Sequence, residues 1–154
     1  MEPLNKNKLS TAKLFILAGL LLLAIGMLFG LTGALQYLIT DFIKQYLSFE
    51  KVRPLHVSSV VFWIIFAAIG SVLTYLQQYN GKVIFSPLLL KIQFAIFSIS
   101  VFAILVSYCF GVFGGREYWE FHPVFALPIA AGWILFIINF IKSLSSFKNL
   151  PVYV

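Results

Sequence analysis

The chain has 154 residues, of which 61% are hydrophobic, 18% aromatic and only 10% charged, against roughly half apolar and about a quarter charged in soluble domains. That composition excludes a soluble globular protein and defines a membrane protein. The net charge of +6 does not indicate nucleic acid, because the basic residues stand singly between apolar runs and form no basic stripe. The lone Cys109 lies in an apolar stretch and can form no internal disulfide; it reads as an inert, buried core thiol.

The first uncharged run extends from Leu14 to Thr40, and about 20 such residues suffice to cross a ~30 Å hydrocarbon core. A signal peptide also pairs a basic start with an apolar run, but its apolar part is only ~7–15 residues long. Gly26, Gly30 and Ala34 recur at every fourth position, a spacing that lets helix backbones approach closely. This predicts one face of the first span against protein, with simple glycine enrichment as the alternative.

A polar connection from Asp41 to Arg53 leads to a second span, Pro54 to Tyr79. Proline suits a first helical turn, where its missing N–H breaks no bond, so Pro54 is expected to start this helix with His56 in the same turn. The face of His56 continues through Ser59, Val60, Trp63, Ala67, Gly70 and Thr74, a mostly small stripe expected to admit something flat. The turn dipeptide Asn80-Gly81 and Lys82 precede a third span, Leu88 to Phe113, with Lys91 near its start. Gly111, Gly114 and Gly115 end it. A loop with Arg116, Glu117, Glu120 and His122 leads to a fourth span from Val124 to Lys142. The expected fold is all-α: four transmembrane helices forming one polytopic membrane domain, with lipid around it.

Basic residues give the orientation. With the N-terminus cytoplasmic, Lys6, Lys8, Lys13, Lys82, Lys91, Lys142 and Lys148 lie inside, against Lys44, Lys51, Arg53 and Arg116 outside. His56, His122 and the loop acids then share the extracytoplasmic side.

An ionisable residue at membrane depth is a functional hypothesis by default, and imidazole is a common haem-iron ligand. The competing reading of His56 is an interfacial histidine bonded to a carbonyl. Arg53, one turn earlier, is suited either to a carboxylate such as a propionate or to interfacial anchoring. Glu117 and Glu120 suit a hard cation or proton relay, or merely solvate a polar loop.

Taken together, FGLTGALQYLITDFI (Phe29 to Ile43), RPLHVSSVVFWIIFAAIG (Arg53 to Gly70) and GREYWEF (Gly115 to Phe121) resemble the first four helices of the catalytic subunit of nitric oxide reductase, in the haem-copper oxidase superfamily. The resemblance implies that His56 is an axial ligand of low-spin haem b and Arg53 a partner of its propionates. It implies that Glu117 helps bind calcium and Glu120 serves proton transfer, and it gives His122 no role. The second haem ligand, the high-spin haem and the non-haem iron belong to later helices, so the chain is expected to be the N-terminal part of a longer subunit or one half of a split one. The short N-terminal segment points to a cytochrome c subunit as donor, and the bacterial inner membrane is the expected location. An oxygen-reducing relative is the neighbouring reading. A self-contained four-helix b-type cytochrome ligated by His56 and His122, and a cofactor-free structural subunit, are the others.

Overall fold

The computed structural model describes residues 10–80, 84–114, 116 and 118–145. Glu117, Gly81 and Lys82, and with them the expected calcium ligand and turn, lie outside the described residues. Four helices follow in order: α1 (Thr11–Leu38), α2 (Phe49–Asn80), α3 (Pro87–Cys109) and α4 (Ala126–Ser145), the last entered through a short 3-10 turn at Pro123–Phe125. Each of the four is long and apolar enough to cross a membrane. Ser10 caps α1 by accepting from the Lys13 amide, and Ser86 caps α3 by accepting from Leu89, each satisfying an amide that the first turn leaves unpaired.

α2 begins five residues before the expected start. The Ser48 carbonyl accepts the amides of Lys51 and Val52 at 2.9 and 3.0 Å, and Glu50 lies in the first turn, where a carboxylate is favoured by the helix dipole. Pro54 is therefore inside the helix and not at its first position. Its missing N–H frees the Glu50 carbonyl, four residues back, and Glu50 is exposed, so solvent satisfies what the helix does not.

α3 stops at Cys109, four residues before the expected end. Gly111 has φ +76°; its N–H donates to Tyr108 and that of Val112 to Ser107, both at 3.0 Å. This is the paired-bond ending that a glycine in the left-handed region makes available. Lys51 on α2 donates from Nζ to the Cys109 carbonyl at 2.9 Å, placing a cation at the negative end of α3. The Cys109 side chain is exposed, not the buried core thiol expected, because at the end of α3 it is Tyr108 that faces the core and the next residue lies on another side of the helix.

Packing is antiparallel between successive helices, as the register of contacts requires. Gly19 of α1 faces Ala67 of α2, Gly26 faces Val60, and Gly33 faces Val52. Seven residues separate these glycines, the period of a helix seam; Gly30 also packs inward, whereas Ala34 is exposed. A Cβ at Gly26 would sit 2.9 Å from Val60 Cγ2, so the absence of a side chain sets how near the helices lie. In lipid, where neighbours and solvent are equally apolar, such close approach supplies much of the association energy.

α1 thereby packs along the small-residue stripe of α2 between Ser59 and Gly70, beyond the His56 ring. The stripe is small, as expected, but it seats a helix. Phe15, Phe66 and Phe94 join α1, α2 and α3 with ring centroids 5.0–6.4 Å apart, and Phe97 meets Trp133 of α4 at 5.9 Å. At the far end, Asn139 of α4 exchanges two bonds with the backbone of Ser86, at 2.9 and 3.1 Å, fixing the α3–α4 register.

Candidate functional site

His56, Arg53, Glu120 and His122 lie toward the same end of the bundle, but they do not form one cluster. His56 stands on the α1-facing side of α2, two residues beyond Pro54. Its Nδ1 lies 2.7 Å from the Gly26 carbonyl oxygen. A carbonyl only accepts, so Nδ1 carries the proton and the lone pair of the neutral ring is on Nε2. Gly30 makes room for the ring: a Cβ there would come 2.8 Å from Nδ1. α1 thus fixes both the tautomer and the plane of the imidazole. Metal-ligating histidines are commonly held this way, with the non-ligating N–H on a carbonyl or carboxylate.

Arg53 and Glu120 are joined directly, the guanidinium 2.5 Å from Oε1. The Glu120 side chain is only 7% exposed and that of Arg53 54%, so the arginine delivers charge from the wet side to a buried carboxylate. The loop that returns Glu120 to α2 closes at Gly114, whose N–H donates to the Glu120 carbonyl. A Cβ at Gly114 would collide with the Phe121 carbonyl, so glycine is required for that closure. Below it, the Phe121 ring packs on Trp119 and on Phe62 of α2, with centroids 5.2 and 6.2 Å away.

A cleft of about 400 Å³ opens beside this pair, lined by Phe49, Glu50, Arg53, Pro54, Phe113 and Glu120. Sequence alone gives Glu50 no role; only the five extra residues of α2 bring it beside Arg53. Deeper, the hydroxyls of Ser58 and Tyr108 lie 2.9 Å apart, and both residues are buried. Sequence reasoning misses this pairing too, because a serine and a tyrosine fifty residues apart carry no joint signal.

His122 has a local role. Its Nδ1 accepts from the Val124 amide at 3.3 Å, capping the turn into α4. That bond needs the opposite tautomer from His56, with the proton on Nε2. Among the described residues no three His, Cys, Asp or Glu side chains gather into a metal-binding group.

The chain is thus a multi-pass helical membrane protein with an oriented imidazole near one end of its second span. The family described as Cytochrome C and Quinol oxidase polypeptide I matches residues 10–154, and the chain belongs to it. It is also similar to a nitric oxide reductase subunit from Stutzerimonas stutzeri, 28% identical over 101 residues that cover 66% of this chain and 21% of that one. The chain thus spans well under two thirds of that relative's length.

Proposed function

We propose that the chain forms part of a nitric oxide reductase-like oxidoreductase and that His56 ligates its low-spin haem b. The observation that carries this reading is the 2.7 Å bond from His56 Nδ1 to the Gly26 carbonyl. It leaves Nε2 as an oriented neutral donor, the state that iron ligation requires. That donor chemistry fits the group. When bound, haem b supplies one-electron transfer toward the site of substrate reduction.

The chain's own residues hold, orient and shield. α1 orients the imidazole. Arg53 pairs with the buried Glu120 carboxylate while its own side chain stays about half exposed beside the cleft, where a further carboxylate such as a propionate can share the guanidinium. Glu120 then stands where a proton could pass between the wet cleft and the interior. Calcium at Glu117, a cytochrome c subunit as electron donor, and an N-terminus on the cytoplasmic side of a bacterial inner membrane complete the proposal. The remaining helices of the catalytic assembly, in the same or a separate chain, supply the other metal ligands.

The relative favours nitric oxide as substrate, whereas the family description favours oxygen. Turnover of the complete enzyme with each gas separates these readings. The ligand assignment is tested in His56→Ala, which should lose the reducible low-spin haem spectrum while inserting normally. An unchanged spectrum would remove the basis of the proposal.

A further inference from the structure

A proton taken up by Glu120 deprives Arg53 of its partner. Arg53 Nη2 lies 2.5 Å from Glu120 Oε1, and the guanidinium makes no other ion pair among the described residues. Protonation neutralises the carboxylate, whereas a guanidinium stays charged at any ordinary pH. Phe49 and Phe113, which wall the cleft beside it, carry no side-chain acceptor to take the place of the lost one.

Glu50 supplies an anion in the same cleft. It stands three residues before Arg53 on α2, a separation that makes helical side chains neighbours with Cβ atoms ~5–6 Å apart, and both line the cleft together with Glu120. Glu50 is exposed and makes no ion pair among the described residues, so its carboxylate is available. The cleft of about 400 Å³ and the half-exposed Arg53 side chain leave the guanidinium room to turn. Other ionisable groups around the cleft are engaged elsewhere or point to solvent. Lys51 donates to the Cys109 carbonyl, Tyr108 shares a hydrogen bond with Ser58, and Arg116 is exposed on the loop.

We propose that Glu50 is the second seat of the Arg53 guanidinium: when Glu120 is protonated, Arg53 turns across the cleft to Glu50, and it returns when Glu120 gives the proton up. The inference rests on the reading of Glu120 as a proton-transfer group. In the loading step a hydronium ion in the cleft gives its proton to a carboxylate oxygen of Glu120, which forms one O–H bond and leaves water. Arg53 exchanges one carboxylate for another and keeps all its own protons. The guanidinium thus faces an anion in both states, and its departure frees Glu120 to pass the proton inward. Glu50 acts through Arg53, as a positioning residue, and touches neither haem nor substrate.

The direct test is the place of Arg53 in Glu120→Gln, whose amide stands for the protonated acid, determined by cryo-electron microscopy of the complete enzyme. The guanidinium should lie on Glu50 at a charge-assisted hydrogen-bond distance of about 2.7–2.9 Å. Arg53 remaining at position 120, or lying on a haem propionate away from Glu50, overturns the proposal. Kinetics supply a second arm. Glu50→Gln should slow proton uptake during turnover about tenfold, less than the ~10²–10⁴-fold that a proton-transferring group itself contributes. Haem content and substrate KM should hold, and Glu50→Asp, which keeps the carboxylate, should recover most of the rate. Parent-like proton uptake in Glu50→Gln overturns the proposal, as does slow uptake accompanied by loss of haem, which marks a structural role. Undiminished uptake in Glu120→Gln would remove the proton reading of Glu120 and this inference with it. Slow uptake in Glu120→Gln beside parent-like uptake in Glu50→Gln overturns the inference alone.

Discussion

The imidazole of His56 and the carbonyl of Gly26 meet at 2.7 Å across the seam between α1 and α2. Two helices therefore cooperate to present one nitrogen. The bond depends on backbone proximity, which depends in turn on Gly26 and Gly30 having no side chain.

Gly30→Val should consequently disturb His56 without touching its identity. A branched side chain placed where a Cβ already approaches Nδ1 within 2.8 Å forces the ring off the Gly26 carbonyl. Loss of such an orienting contact typically costs about 10–100-fold in metal affinity or activity. Haem content and reduction potential of Gly30→Val should both fall, measured by redox titration of purified protein. Parent-like values would mean that the bond to Gly26 does not orient the ring.

The Arg53–Glu120 pair makes a different expectation. Removing the guanidinium leaves a largely buried carboxylate with its charge uncompensated, and hydrogen bonds to charged groups contribute about 1.5–3 kcal/mol. The half-exposed arginine places the expected loss near the lower bound. Arg53→Gln should lower thermal stability in detergent, and adding Glu120→Gln should recover part of the loss. Strictly additive effects in that double-mutant cycle would show that the two side chains are not coupled.

His122→Ala separates the chain from a self-contained cytochrome. The ring caps a turn through Nδ1, so its removal should cost about 1 kcal/mol of stability, as other cap losses do. Haem content should be unchanged. Loss of low-spin haem in a correctly inserted variant would instead assign the second ligand to His122.

Four spans are legible in the sequence because uninterrupted apolar runs of this length have few other uses. Their ends are less so. Pro54 resembles a helix start, but Ser48, Phe49 and Glu50 form an earlier one. Val112 and Phe113 look like helix, yet Gly111 in the left-handed region ends α3 before them. Helix faces are the least legible, since in lipid a protein-facing and a lipid-facing apolar residue look alike. The small stripe below His56 is visible, but what fills it is not. The pairing of Arg53 with Glu120 spans 67 positions and depends on how Gly114 closes the loop, which neither segment reveals alone.

Glu117→Gln addresses the proposed calcium. Carboxylate oxygen suits a hard cation better than an amide does, so the variant should shift the low-spin haem potential in the complete enzyme, and chelation of the parent should produce the same shift. If neither treatment changes potential or activity, Glu117 is only a solvated loop acid.

The most direct measurement is ligand replacement at His56. His56→Gly should lack the low-spin haem spectrum, and exogenous imidazole should restore it, because the vacated seat beside Gly26 and Gly30 retains the shape of the ring. Low-spin haem persisting in His56→Gly without added imidazole would contradict the assignment of His56 as its ligand.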